Sequence, residues 1–332
     1  MEENQKSLNK MRNAKKVSII VCTYNAKDDL KECLESLENQ DYDEKEIIIV
    51  NDASEDGTSE FLQDFKSQTK MKMTVITNET NFGVAGSRNV GIQHATGEII
   101  AFTDADCVAD RSWISELVKG YGHADVGAVG GSISDKRITN IWELSDKGHD
   151  FVTSAEGYVS YIQGCNMSFE AKVLRKFMFN DEIKYGYEEA LLCDYLIGDG
   201  YKIYYKPQAV VHHKRRSHLG ALLRRKYLLG LSSIWYRKKQ HEFFMFKRHL
   251  ILLIALFCLP FFVINKLFLY FFLLLFLIFS LSLLRDEIIF KKKSIEEILL
   301  TFPFLIFIEF AHFGGSFAGL VKFRVLKSPH KK

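Results

Sequence analysis

An alternation that begins at Val17 restricts the fold more than any other feature of the chain. Short apolar, β-branched runs at Val17–Cys22, Glu46–Val50, Met73–Thr77 and Ile99–Phe102 alternate with stretches of helical spacing at Asp28–Asn39, from Thr58, and at Val84–His94. In the first helical stretch Leu30, Leu34 and Leu37 recur at three- and four-residue intervals and so share one face. Strands alternating with helices of about 10–12 residues imply parallel βαβ units and a sheet covered on both faces. Ligands of such sheets sit beyond the carboxyl ends of the strands, where Asn25, Asp52 and Asp104 fall. Further along, Trp113–Tyr121 and Glu188–Asp199 read as helices, and Val126–Gly131, Asn166–Phe169, Ile203–Tyr205 and Ala209–Val211 as short strands. Residues 132–163 have weak periodicity and read as loops and short elements.

Charge divides the chain in two. Residues 1–211 carry 23 Lys and Arg against 35 Asp and Glu, a net of −12, whereas residues 212–332 carry 21 against 6, a net of +15. The acidic half argues against a nucleic-acid binder, which needs positive charge on its folded domain. The basic half also contains the long apolar runs, which makes anionic lipid its expected partner. Residues 212–248 hold 11 basic residues and one acid among Leu222, Leu223, Tyr227, Leu228, Leu231, Ile234 and Trp235. That pattern suits a helix lying on a membrane surface, with a solvated helix docked on the acidic domain as the alternative. Leu250–Ile264 and Leu267–Leu284 are almost purely apolar, although the first, about 22 Å as a helix, is short for a hydrocarbon core of about 30 Å. A third run, Ile298–Val321, contains Glu309 and His312, which need protein or water beside them, and glycines that allow close helix packing. Both Arg285–Lys293 and the tail after Val321 are basic, so the positive-inside rule claims both for the cytoplasm and leaves the number of spans at two or three.

Six cysteines without a CxxC pair argue against a disulfide framework or a cysteine-based zinc site and fit a reducing cytosol. The first 16 residues are polar, with no apolar stretch of the kind a secretory signal requires, and read as a flexible tail.

An Asp-x-Asp pair is weak by itself: with 18 Asp in the chain about one is expected by chance, and Asp41-Tyr42-Asp43 reads as such a decoy in an exposed turn. Asp104-Ala105-Asp106 differs in ending a buried strand. Two carboxylates there repel each other unless a cation intervenes, and their hard oxygens suit Mg²⁺ or Mn²⁺ holding a diphosphate. Capping of a following turn is the structural alternative for Asp104. Asp52, in an acidic turn, is either a cap or an acceptor for a base or ribose. The glycine-rich segment Asn81–Asn89 opens a helix that can present N–H groups to an anion, with Arg88 adding a forked contact.

Together these segments resemble the family 2 glycosyltransferases. The resemblance rests on VSIIVCTYNAKDDLKECLESLENQ, EIIIVNDASEDGT, NFGVAGSRNVGIQHATGEIIAFTDADC, GCNMSF, GYEEALLCDYLIGDGYKIYYKP and AVVHH, about 200 residues in the family's order and spacing. It implies an α/β, Rossmann-like GT-A domain over 17–213. Basic juxtamembrane helices over 214–248, two to three transmembrane or re-entrant helices over 249–321 and a basic tail over 322–332 follow. By the same resemblance Tyr24 and Asp52 contact the nucleotide base, Arg88 lies near the base or diphosphate, Asp104 reaches the ribose side, and Asp106 binds the metal with His213, His212 standing as substitute. The general base is expected from Glu188-Glu189, where Glu189 takes a place usually held by Asp. No Gln-x-x-Arg-Trp motif of processive synthases follows, which favours transfer of a single sugar. The expected activity is inverting transfer from a UDP- or GDP-sugar to a lipid-linked acceptor at the cell membrane, with a cytoplasmic catalytic domain. Arg215, Arg216, Arg224 and Arg225 are candidates for the lipid phosphate. The competing readings are a sugar nucleotidyltransferase, for which Thr23–Ala26 lacks the glycine-rich basic loop, and a degenerate sugar-nucleotide-binding protein, for which the acids should be missing.

Overall fold

A computed structural model describes residues 15–123, 125–147, 155–239, 247–289, 291 and 293–325, so most of the expected N-terminal and basic C-terminal tails lie outside the described residues. The chain divides into two compact units. The described residues up to 136 together with 155–214 form the first, and 137–147 with the described residues from 215 onward form the second.

The first unit follows the alternation. Strands β1 (Val17–Thr23), β2 (Lys45–Asn51), β3 (Met73–Thr77) and β4 (Ile99–Asp104) alternate with helices α1 (Lys27–Glu38), α2 (Thr58–Gln68) and α3 (Gly83–His94). β1 pairs in parallel with β2 and β4, and β2 with β3. Period-two alternation along β1 sends Ile19 and Val21 to one face, with Leu30, Leu34 and Leu37 of α1, while Ile20 packs on the other with Ile92 of α3. Both faces are buried, as parallel sheets require.

Beyond β4 the sheet becomes mixed. It continues through β8 (Met167–Glu170), β6 (Val126–Asp135), β9 (Lys202–His213) and β5 (Cys107–Ala109), with β7 (Gly157–Val159) also on β9. β8 runs antiparallel to β4 and β6, β5 and β7 run antiparallel to β9, and β6 and β9 are parallel. The two short strands expected at Ile203–Tyr205 and Ala209–Val211 are one strand. Pro207, which has no N–H to give a ladder, falls where the β6–β9 register shifts, and its carbonyl accepts from Ser132 Oγ at 2.7 Å. Asn166, fully buried, ties this half together: its amide donates to the carbonyls of Ser132 and Ala209 and its Oδ1 accepts from Trp113 Nε1.

Remaining helices of the first unit are α4 (Trp113–Lys119), α6 (Ala171–Phe177) and α7 (Glu188–Gly198). The second unit holds α5 (Ile141–Ser145), α8 (Leu219–Lys239), α9 (Lys247–Cys258), α10 (Leu267–Ile289) and α11 (Ile295–Val325). Residues 137–147, which the sequence places within the 17–213 domain, thus join the second unit: Trp142 meets Phe304 edge-on and Lys147 pairs with Glu297 at 3.0 Å. Among the described residues two helices are long and apolar enough to cross a membrane, Leu267–Ile289 and Ile295–Lys322, whereas Leu250–Val263 is shorter and contributes Leu252 to a cluster with Phe279 and Leu283 of α10. The glycines of α11 work as expected. A Cβ on Gly315 would sit 1.8 Å from the Tyr227 carbonyl oxygen, and one on Gly230 of α8 2.1 Å from that of His312, so only glycine lets α8 and α11 approach this closely. Glu309 and His312 are both buried in protein.

Glu46 fixes the amino edge of the sheet. Burial opposes its charge, but hydrogen bonds from Ser18, Lys16 and Thr96 outweigh burial and hold its pKa down to about 2 from an ordinary 4.5. Its contribution is therefore present above pH 4.5 and lost as the pH falls toward 2. Glu46→Gln should cost on the order of 2–3 kcal/mol at neutral pH and flatten the acid limb of a urea-denaturation pH profile.

Candidate active site

Sheet register assembles the site. β4 ends at Asp104, and the chain turns through Ala105 and Asp106 into β5, whose Cys107 pairs with His213. The Lys214 N–H closes the turn on the Asp106 carbonyl at 3.0 Å. A residue 107 positions further along the chain is thereby brought beside the Asp pair. His213 Nε2 lies 3.6 Å from Asp106 Oδ1, and donor atoms of Asp104, Asp106 and His213 all lie within 4.8 Å of one another. Two half-exposed carboxylates and an imidazole make a donor set that suits a divalent cation, and His213 Nδ1 is buried with no hydrogen-bond partner among the described residues. His212 faces away: its Nε2 is 2.8 Å from Asp110 Oδ1 and its Nδ1 2.5 Å from Ser134 Oγ, so the substitute ligand is engaged elsewhere.

Arg88, on the buried face of α3, is the hub. Its Nη1 donates to Glu188 Oε1 at 2.8 Å, and its Nη2 to Asp104 Oδ1 at 3.2 Å and to the Gly164 carbonyl at 3.1 Å. Phe102 and Phe179 lie 5.8 and 5.5 Å from the guanidinium carbon. Burial disfavours the charge, but Glu188 and then Asp104 more than offset it, so the pKa rises and the group stays cationic. Arg88 therefore reaches the Asp104 end of β4 and the Glu188 end of α7 at once.

The adjacent glutamates divide their roles. Glu188 is buried and bound to Arg88; Glu189, the next residue of the same first helical turn, is half-buried and accepts from Tyr161 Oη at 2.7 Å. Burial foremost, and then Glu189, push the Tyr161 phenol well up, so the tyrosine remains a donor. Tyr161 lies in a stretch of weak periodicity, where nothing in the sequence marked it.

The nucleotide-side candidates behave differently from one another. Tyr24 is half exposed, as is Phe82, an aromatic that sequence reasoning passed over inside the glycine-rich segment. Asp52 is buried: it accepts from Asn78 Nδ2 and from the N–H groups of Phe82 and Gly83 at 2.8, 2.8 and 3.0 Å, and so fixes the start of α3. A carboxylate has about four acceptor positions, which leaves Asp52 one to offer. Asn25, Ala53 and Tyr187, the residues next to Tyr24, Asp52 and Glu188, are non-glycine residues with φ of 50°, 61° and 74°, a conformation that costs each of them energy and often marks functional sites. Arg215, Arg216, Arg224 and Arg225 belong to the second unit; there Arg216 Nη1 pairs with Asp146 Oδ2 at 2.9 Å, and Arg224 is exposed.

Because breaking a buried ion pair strands its partner, Glu188→Ala should lower stability by on the order of 3 kcal/mol in urea denaturation, while Glu189→Ala should change it by about 1 kcal/mol or less.

Residues 18–181, from β1 through α6, match the family described as glycosyl transferase family 2. That span includes Tyr24, Asp52, Arg88, Asp104 and Asp106, and stops short of Glu188, Glu189 and His213. An uncharacterized glycosyltransferase of Haemophilus influenzae is 31% identical over 190 residues, covering 53% of this chain and 58% of the relative. A glucosyl-dolichyl phosphate glucuronosyltransferase of Haloferax volcanii is 34% identical over 121 residues, covering 36% of this chain and 38% of the relative. The chain therefore spans less than two thirds of the length of either. Among solved structures, the mannosyltransferase PcManGT of Pyrobaculum calidifontis, determined with GDP-Man and Mn²⁺, superposes with a TM-score of 0.60 at 20% identity, covering 92% of this chain and 87% of that one. The fold is that of the GT-A enzymes, and residues 18–181 form a family 2 glycosyltransferase domain.

Proposed function

We propose that the protein transfers one sugar, with inversion, from a UDP- or GDP-sugar to a lipid-linked acceptor, using Glu189 as base and Asp104, Asp106 and His213 as the metal and diphosphate site. The observation that carries this reading is the separation of the two glutamates. Glu188 is buried and paired with the Arg88 guanidinium, whereas Glu189 is only half-buried and accepts from a neutral tyrosine hydroxyl.

In the proposed mechanism Tyr24 and Phe82 provide faces for the nucleotide base, and Asp52 its remaining acceptor position. Asp106 and His213 would hold Mg²⁺ or Mn²⁺, which when bound would supply Lewis-acid stabilisation of the departing nucleoside diphosphate. Asp104 orients the donor from the ribose side and is itself held by Arg88 Nη2. Glu189 takes the proton of the acceptor hydroxyl, and a single in-line displacement inverts the anomeric carbon. Where the acceptor is an ionised lipid phosphate, Glu189 only orients it.

The lipid acceptor draws support from the basic, aromatic α8 and from α10 and α11, which have the length and composition of membrane spans. The glucuronosyltransferase relative is named for a glucosyl-dolichyl phosphate, and PcManGT was solved with GDP-Man and Mn²⁺. Crossings by α10 and α11 would return the residues after Val321 to the side of α8, which satisfies the positive-inside rule for those two basic segments but not for Arg285–Lys293 between the crossings. A nucleotidyltransferase reading has no observation in its favour.

Release of nucleoside diphosphate from a panel of labelled UDP- and GDP-sugars, with membranes as acceptor source, tests the reaction. Asp106→Ala and Glu189→Gln should each reduce it by about 10²-fold or more, and EDTA should abolish it until Mn²⁺ or Mg²⁺ is restored. Unchanged release by Asp106→Ala would remove the metal role. Label confined to water-soluble products would remove the lipid acceptor.

A further inference from the structure

His213 has a second set of neighbours. Behind it, on the side of the protein core, lie Cys107 and Cys165, and donor atoms of Cys107, Cys165 and His213 are all within 4.8 Å of one another. All three residues are buried. The register explains the meeting. Cys107 is paired with His213 across β5 and β9, and Cys165 lies two residues before Met167, the partner of Phe102 at the end of the β4–β8 ladder, which carries it toward Asp104. Cys107 Sγ is also 3.8 Å from Asp106 Oδ1.

We propose that Cys107, Cys165 and His213 form a second cation site, selective for thiophilic divalent ions such as Zn²⁺, whose occupation inhibits the enzyme by withdrawing His213 from the catalytic metal. The donor set carries the chemistry. Two sulfurs and an imidazole are the ligands of zinc and other soft cations, whereas Asp104 and Asp106 are ligands of hard ones. Bonds of about 2.3 Å to sulfur and about 2.0 Å to nitrogen set ligand separations of about 3.4–3.8 Å in a tetrahedron, so donors already within 4.8 Å need only small side-chain rotations. Asp106 Oδ1, 3.6 Å from His213 Nε2 and 3.8 Å from Cys107 Sγ, stands where a fourth ligand is required. The half-exposed Asp104 and Asp106 give a cation its way in from solvent. One imidazole cannot turn to both ions freely, and capture of Asp106 as well would leave the hard site with Asp104 alone.

The inhibitory half of this inference rests on the proposed transferase; the binding half does not. X-ray absorption of the Zn²⁺-loaded full-length protein, kept reduced with a phosphine, reads the ligand shell directly and needs no variant. A shell of two sulfurs with nitrogen and oxygen is expected; an all-nitrogen-and-oxygen shell would overturn the site. The double variant Cys107→Ala/Cys165→Ala should lose the sulfur shell and keep sugar transfer within about threefold, while becoming at least tenfold less sensitive to Zn²⁺ in a Mn²⁺-supported assay. Equal sensitivity of the double variant and the wild type would overturn the inhibitory role. A two-sulfur shell in a protein with no transferase activity on any donor would leave the cation site standing and remove only the transferase reading.

Discussion

One buried cation organises the catalytic half of the molecule. Arg88 is almost wholly excluded from water, and a guanidinium in that position is tolerable only if its charge is met on the spot. Glu188 and Asp104 meet it, the Gly164 carbonyl takes a further N–H, and two phenylalanine rings flank the plane. Each partner comes from a different part of the chain: the end of β4, the loop before β8 and the first turn of α7. Arg88 thus does for this half what a metal ion does in a smaller domain, fixing three loops that have no covalent or sheet connection at that point.

Around that hub the backbone is held in conformations it would not choose. Asn25 and Ala53 lie in the left-handed region, and their two loops are stitched together by Asn25 N–H to Ser54 Oγ and Glu55 N–H to Asn25 Oδ1. Asp52 adds bonds to the N–H groups that open α3. A strained conformation costing each residue about 1–3 kcal/mol persists only where neighbouring bonds over-determine it, and these bonds do so. The result is a rigid rim beside the exposed rings of Tyr24 and Phe82, which suits a planar ligand more than a flexible one.

How much of this was legible in the sequence depends on distance along the chain. The parallel half was readable because each βαβ unit encodes itself locally: Leu30, Leu34 and Leu37 declare a helix face, and β1 to β4 lie within two residues of the boundaries their apolar runs suggest. In the mixed half the strands are short, and Pro207 splits one strand into two apparent ones because a bulge tolerates what a regular ladder does not. Tyr161 carried no local signal at all. The division between Glu188 and Glu189 was equally hidden, since two neighbouring glutamates differ only in what lies opposite them. Cys107 and Cys165 are 58 positions apart, so no motif relates them, yet sheet register sets both beside His213.

The departure from the family's expected Asp at position 189 has a structural counterpart. A glutamate carries one more rotatable bond than an aspartate, and its carboxylate would sample a wider region if left alone, at a cost in orientation that a general base cannot absorb. Tyr161 removes that freedom with a 2.7 Å bond to one oxygen, and burial keeps the tyrosine protonated so that the bond persists. The extra methylene is therefore converted from disorder into reach. In the proposed reaction Glu189 would present its second oxygen further from the helix than an aspartate could, so the acceptor hydroxyl would sit correspondingly further out.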